Sequence, residues 1–104
     1  MARKRLEGKK VIVQFSTFPL GKGASVSRFM VEALKEVKKS GLKFQLTPTA
    51  TVLEANNLKG AMEVIMNAHE ALFQVGAKRV ITDIKIDDRR DEPRTMEDKV
   101  EKVK

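Results

Sequence analysis

Two kinds of hydrophobic repeat alternate along the chain, and their order restricts the fold more than any other feature. Segments with a two-residue repeat are typical of strands with one buried face, whereas apolar residues at helical spacing indicate helices. The predicted strands span 10–18, 42–47, 50–55 and 79–86, and the predicted helices span 26–39, 58–75 and 95–104. Because crossovers are right-handed, this β-α-β-β-α-β order with a terminal helix predicts a ferredoxin-like α+β sandwich. In that fold, two helices cover one face of a four-stranded antiparallel sheet.

Capping residues mark the ends of the two long predicted helices. Ser25 is a plausible N-cap of the first helix, and Gly41 is its expected C-terminal stop. Asn56 or Asn57 can cap the second helix, and Gly76 closes it. The stripe predicted to be buried on this second helix consists of Leu58, Ala61, Met62, Ile65, Ala68, His69 and Leu72. On such a stripe, His69 is expected to be a packed helix histidine.

The C-terminal segment is densely charged. Residues 87–104 hold seven acidic and six basic side chains. Such mixed charge predicts a solvated turn and helix, with Val100 and Val103 on one side of the helix.

The positive charge of the chain is concentrated at its N-terminus. The formal net charge is +7, and +4 of it lies in the first ten residues. We therefore predict a basic arm over residues 1–9 and a single domain over 10–104. The arm is either a solvated tail or a weak, non-specific phosphate binder. RNA recognition modules share the predicted strand order, but the third predicted strand lacks the aromatic residues on which they stack bases, which argues against nucleic acid as the main partner.

The composition leaves little material for catalysis. The chain has no cysteine and a single histidine, so disulfides, thiolate nucleophiles, sulfur-based zinc sites and histidine triads have no basis. We therefore expect no enzyme activity, no metal and no cofactor. No apolar run approaches the roughly 18 residues that a transmembrane helix needs, and no signal-peptide pattern follows the N-terminus. A cytoplasmic protein without a membrane partner is expected.

The sheet face away from the two helices, called here the second face, has a mixed composition. By strand parity its apolar members are Ile12, Phe18, Val52 and Ile81. An apolar patch on an uncovered sheet face predicts association with further copies, either face to face or edge to edge. The alternative is a set of scattered surface residues without a role.

Two further features carry possible chemistry. Glu54, Asp83 and Lys85 lie on the second face, where they could form a structural ion pair or hold a small ligand that carries donors and a positive charge. The segment 19–25 brings glycines and Lys22 to a helix N-terminus, which attracts anions. It is not a Walker A motif, and a flexible loop is the alternative.

Several segments together resemble the small thiamine-binding protein family. They are 19–21, 25–37, 49–54, 68–70, 76–80 and 84–91. The most specific part is the run from Lys85 to Arg90, Lys-Ile-Asp-Asp-Arg-Arg.

The resemblance implies a ferredoxin-like fold, assembly into dimers or tetramers, and non-catalytic binding of thiamine or a related pyrimidine between subunits. Its motif positions here are Thr51, Glu54, His69, Arg79, Lys85 and Arg89. Chemistry independently favours carboxylates for a cationic ligand, hydroxyls for its polar ends and Phe18 for a ring, although the positive net charge opposes a cation. The resulting ligand-site prediction is Ser16, Phe18, Thr49, Thr51, Glu54, Asp83 and Lys85.

A second hypothesis, in which the protein is not primarily a thiamine-binding protein, remains open. The same second face could serve a ligand-sensing or protein-interaction module, with weak nucleic-acid binding by the basic arm.

Overall fold

Four strands and three helices follow one another in the residues that the computed structural model describes, which are 10–21, 26–91 and 95–104. They are β1 (Lys10–Pro19), α1 (Ser27–Ser40), β2 (Lys43–Leu46), β3 (Thr51–Ala55), α2 (Leu58–Gln74), β4 (Val80–Arg89) and α3 (Met96–Glu101). The predicted basic arm, Lys22 and the predicted cap Ser25 lie outside the described residues. No described helix is long and apolar enough to cross a membrane.

The strands form one antiparallel sheet in the order β2-β3-β1-β4. Along β1, residues Val11, Val13, Phe15 and Thr17 are buried beneath the helices, while the residues between them face the other way. Val11, Val13 and Phe15 belong to one core with Phe29 of α1 and Leu72 of α2. The ferredoxin-like α+β fold predicted from the order of the repeats is confirmed.

Two helix ends follow the expected capping chemistry, whereas the start of α1 has Val26 at its N-cap and not the predicted Ser25. The Asn57 side chain accepts a hydrogen bond from the Gly60 N–H at 2.7 Å and so caps α2. Gly41 ends α1 in the left-handed region at φ 75°, where a side chain would be strained. Val26 occupies the N-cap position of α1, without a side-chain cap.

The terminal helix is mostly solvated, as predicted, but its first residue is not. Helix α3 starts on the second face, where Met96 is only 4% exposed, and its remaining residues are exposed. Val100 of α3 and Val103 beyond its end are both exposed. Met96 becomes the anchor because its N–H donates to Glu54 Oε1 at 2.9 Å, which ties the start of α3 to β3. The second face is therefore covered at one end and is not the fully open surface that the sequence predicted.

Two ion pairs span from α3 to the strands beneath it. Lys43 Nζ lies 2.6 Å from Glu97 Oε1, and Lys99 Nζ lies 2.5 Å from Asp87 Oδ2. The hydrogen bond between Lys43 and Glu97 raises the pKa of the lysine and lowers the pKa of the carboxyl. Both pairs are solvent-exposed, so they orient α3 more than they stabilise the domain.

Several boundaries and burial predictions also differ from the structure. Strand β2 is shorter than predicted, and Leu46 at its end is exposed because it lies beyond the core. Strand β4 is longer than predicted and runs to Arg89. On α2, Val64 and Ala71 are buried although they lie outside the predicted stripe, because α2 packs against both the sheet and α1.

Candidate functional site

A difference in strand length creates the principal groove of the domain. Strand β1 pairs with β3 only from Val11 to Phe15, whereas it pairs with β4 along its whole length to Pro19. From Ser16 onward, no other described strand lies on the β3 side of β1. The turn between β2 and β3, residues 47–50, lines one side of the resulting groove, and α1 lines another.

The groove has a volume of about 410 Å³. This lies within the 300–1,000 Å³ typical of small-molecule sites. Helix α1 contributes an apolar wall that includes Met30, Ala33 and Leu34, and the aromatic rings of Phe15 and Phe18 come from β1. The groove is therefore large enough for a small-molecule ligand whose ring packs against apolar and aromatic side chains.

Five hydroxyl side chains line the groove, and two of them are engaged within the protein. They are Ser16, Thr17, Thr47, Thr49 and Thr51. Thr17 Oγ1 lies 2.7 Å from Thr82 Oγ1, and Thr47 Oγ1 closes its turn by donating to the Ala50 carbonyl and accepting from the Ala50 N–H, both at 3.0 Å. The hydroxyls of Ser16, Thr49 and Thr51 have no side-chain partner in the described part of the chain.

The described lining contains no acidic side chain, basic side chain or histidine. Each unpartnered hydroxyl can donate one hydrogen bond and accept others, so together they suit a ligand edge that alternates donors and acceptors. The Phe18 ring offers a face for stacking or for a cation. The described residues hold no group of three metal-ligating side chains.

Four of the seven predicted site residues come together here, namely Ser16, Phe18, Thr49 and Thr51. Asp83 lies directly across the strand pair from Ser16 on the second face, beside the groove. Directly opposed Cβ atoms in such a pair lie about 4.5–5.5 Å apart. Lys85 lies opposite Gln14, farther from the groove, and both Asp83 and Lys85 are exposed.

Glu54 lies away from the groove. It is 8% exposed beneath the start of α3, where it accepts the Met96 N–H. Its cross-strand neighbours are Ile12 and Lys43. The ion pair between Glu54 and Lys85 that the sequence left open is not present among the described residues.

The remaining family-motif positions also lie outside the groove. His69 Nδ1 is 2.7 Å from Thr82 Oγ1, and its ring packs 5.5 Å from that of Phe73. The Arg79 carbonyl accepts the Leu20 N–H at 2.9 Å, and Arg89 Nε donates to Asp91 at 2.9 Å.

The α1 wall, Met30, Ala33 and Leu34, was not among the predicted site residues. The sequence signal that could have indicated a groove here is the mismatch between a long first strand and a short third strand.

Comparison with known sequences identifies the relatives of this chain. Residues 13–104 match the family described as thiamine-binding protein. A UPF0045 protein of Methanothermobacter thermautotrophicus is 40% identical over 95 residues, which cover 90% of this chain and 96% of the relative. A UPF0045 protein of Staphylococcus xylosus is 44% identical over 97 residues, covering 88% of this chain and 90% of the relative.

Solved structures agree with this assignment. A domain of unknown function from Bacillus cereus superposes with a TM-score of 0.83 at 31% identity, covering 92% of this chain and 91% of that one. A hypothetical protein of Methanocaldococcus jannaschii gives a TM-score of 0.83 at 36% identity, with 90% and 95% covered. A candidate thiamine biosynthesis/salvage protein of Thermotoga maritima shares the fold, with a TM-score of 0.77 at 24% identity over 91% and 99% of the two chains. The chain therefore belongs to the thiamine-binding protein family.

Proposed function

We propose that this protein binds thiamine or a related pyrimidine in the groove beside β1 and carries out no reaction on it. One observation carries the proposal: a groove whose described lining bears no charge presents three hydroxyls without a described partner, those of Ser16, Thr49 and Thr51, next to the Phe18 ring. Family membership and the description of the Thermotoga maritima neighbour point to the same ligand class.

The chemistry of the ligand fits this lining. The aminopyrimidine ring of thiamine is flat and carries donors and acceptors along one edge, which hydroxyls can satisfy in either sense. Each neutral hydrogen bond of this kind contributes about 0.5–1.5 kcal/mol. The thiazolium ring is a cation without an N–H, so it is better held by an aromatic face than by a hydrogen-bond acceptor. Phe18 can supply that face.

The described lining of the groove supports the proposal that the ligand is bound without reaction. General acid–base catalysis needs a titratable side chain within hydrogen-bond reach of the reacting atom. The described lining offers hydroxyls and apolar groups only, and His69 is separated from it by two hydrogen bonds, through Thr82 and Thr17. A carrier, store or sensor of the ligand therefore fits these residues better than an enzyme.

We further propose that the ligand lies between subunits of a dimer or tetramer. Phe18, Val52 and Ile81 are half-buried on the part of the second face that α3 leaves open. Ser16 and Phe18 line the groove from this same face, so a second copy seated there would close the mouth of the groove. Apolar side chains at such a surface favour an interface.

Calorimetric titration with thiamine tests the proposal. Ser16→Ala and Thr51→Val remove one hydroxyl each while retaining most of the side-chain shape, and each should weaken binding about two- to tenfold, the equivalent of one neutral hydrogen bond. Ser27→Ala removes an exposed hydroxyl at the start of α1 outside the groove and should leave the affinity unchanged.

Two results would contradict the proposal. Wild-type protein that gives no heat up to millimolar thiamine would favour the alternative of a protein-interaction module on the second face. Binding that is unaffected in the Ser16→Ala/Thr51→Val double variant would place the ligand elsewhere.

A further inference from the structure

A chain of three hydrogen-bonding side chains connects the groove with a second cavity. Thr17 lines the groove, and its Oγ1 lies 2.7 Å from Thr82 Oγ1. Thr82 Oγ1 in turn lies 2.7 Å from His69 Nδ1. Both Thr82 and His69 line a cavity of about 270 Å³ between α2 and β4. A change at the histidine can therefore reach the groove through two hydrogen bonds.

The pairing of β1 with β4 and the packing of α2 hold this chain in place. Thr17 and Thr82 are directly opposed on the two strands, on the side of the sheet that the helices cover. Thr17 is 2% exposed, so its hydroxyl has little contact with water. His69 reaches Thr82 from α2, and its ring packs against that of Phe73. Because both distances along the chain are those of ordinary hydrogen bonds, each gap holds one hydrogen.

The number of available hydrogens fixes the direction of both bonds when Nδ1 of His69 carries none. Two gaps need one hydrogen each, and each threonine hydroxyl supplies only one. A bare Nδ1 can only accept, so Thr82 must donate to it. The hydrogen between the two oxygens then has to come from Thr17. In this state, Thr17 has no hydrogen left and can only accept a hydrogen bond from a ligand in the groove.

A proton on Nδ1 reverses the direction of both bonds. The Nδ1–H group donates to Thr82 Oγ1, and the Thr82 hydroxyl is then free to donate to Thr17. The hydrogen of Thr17 is no longer needed within the chain and becomes available to the groove. Thr17 then acts as a donor to the ligand, without movement of any heavy atom.

We infer that His69 and Thr82 are positioning residues that set whether Thr17 accepts a hydrogen bond from the ligand or donates one to it. The inference rests on the proposed binding of a pyrimidine in the groove, and it places the proton of neutral His69 on Nε2. Because Thr17 is nearly buried, a group that projects from the ligand ring reaches it more easily than the ring edge does. Neutral His69 then favours an exocyclic amino group, and protonated His69 favours a carbonyl in the same place.

The preference should depend on pH, because histidine is the side chain that ordinarily changes its charge between about pH 5 and pH 8. Glu70 is the other titratable side chain in the described lining of the second cavity. Arg28 of α1, the helix packed beside α2, donates to the Val75 carbonyl at 3.4 Å. Asp88 of β4 lies on the helix-covered side, about 20 Å along the strand from Thr82. Other charged side chains of the strands beneath α2 lie at the far end of β1 or on the second face: Lys10, Glu54, Asp83 and Lys85.

Calorimetry with thiamine and oxythiamine, which has a carbonyl in place of the exocyclic amino group, tests the inference. In wild-type protein, the ratio of the oxythiamine to the thiamine dissociation constant should rise about five- to tenfold from about pH 5.5 to about pH 8, the effect of about one hydrogen bond. Thr82→Val should abolish this rise, whereas Thr82→Ser, which retains a hydroxyl, should preserve it. Glu70→Gln removes the other titratable side chain of the cavity lining and should also preserve it.

A ratio that does not change with pH in wild-type protein that binds both compounds would overturn the inference alone, and so would a rise that persists in Thr82→Val. A lack of thiamine binding would refute the proposed function and the inference with it.

A second measurement needs no ligand and no variant. The chain has a single histidine, so the imidazole ¹⁵N chemical shifts of the wild-type protein report on His69 alone. Once the histidine is deprotonated, we expect its remaining proton on Nε2. A proton on Nδ1 would overturn the inference whatever the titrations give, and this result does not depend on whether Thr82→Val folds.

Discussion

Substitution of Glu54 separates two roles that the sequence alone could not distinguish. In the structure, this carboxylate is almost fully buried and accepts the Met96 N–H at 2.9 Å, which holds α3 on the second face. A buried carboxylate that binds a ligand would look the same. Removing the charge distinguishes the two roles, because a structural role predicts a loss of stability and a ligand-binding role predicts a loss of thiamine affinity.

The size of the expected effect follows from the contact. Hydrogen bonds to charged groups contribute about 1.5–3 kcal/mol and neutral ones about 0.5–1.5 kcal/mol. Glu54→Gln retains an acceptor oxygen, so it should cost about 1 kcal/mol of unfolding free energy. Glu54→Leu leaves the buried Met96 N–H without a partner and should cost about 1–3 kcal/mol. A loss of 1 kcal/mol lowers the melting temperature of a domain of this size by roughly 4–8 °C.

Three measurements on the same variants complete the test. Urea denaturation gives the loss of stability, and hydrogen exchange at the Met96 amide reports whether α3 has loosened. Calorimetry gives the thiamine affinity, which should be unchanged. Glu101→Gln, an exposed acid on α3, is the matched control and should change none of the three. A tenfold or greater loss of thiamine affinity in Glu54→Gln, with stability intact, would refute the structural role and return Glu54 to the ligand site.

Two further predictions concern assembly and the core. Val52→Lys places an unpaired charge on the open part of the second face, so if a second copy is seated there, light scattering should show a smaller mass than for wild type; an unchanged mass would exclude this interface. Thr82→Val removes the hydrogen-bond partner of the Thr17 hydroxyl, which is only 2% exposed, and of His69 Nδ1. Thermal unfolding should show that the free energy of unfolding falls by about 1–3 kcal/mol. A variant as stable as wild type would mean that these contacts do not stabilise the domain.

The periodic parts of the sequence predicted the fold because their repeats reflect burial directly. In β1, alternation places Val11, Val13 and Phe15 in the core, and the pairing partners on β3 and β4 follow the same parity. The position of α3 on the second face could not be predicted in this way. It is held by one buried methionine, one carboxylate on another strand and two distant ion pairs, none of which produces a repeat in the sequence.

The candidate site was predictable in part: the sequence indicated its hydroxyls and Phe18, but neither its shape nor the lack of charge in its described lining. Four residues, chosen from the sequence for their side chains, lie together in the groove: Ser16, Phe18, Thr49 and Thr51. They do so because the pairing of β1 with β3 stops at Phe15, where β3 begins, while β1 continues. Ile84 and Ile86 have the parity of core residues, yet they are exposed because parity specifies a face and not how far the helices extend across it.

Chemical-shift mapping would locate the ligand on the protein. In a ¹H–¹⁵N titration of the wild-type protein with thiamine, we expect the largest shifts in two segments, residues 15–18 at the end of β1 and 46–51 around the β2–β3 turn. We expect small shifts for Glu54, Lys85 and the residues of α3. Saturable shifts centred on Glu54 and α3, with the two groove segments unmoved, would contradict the proposed site.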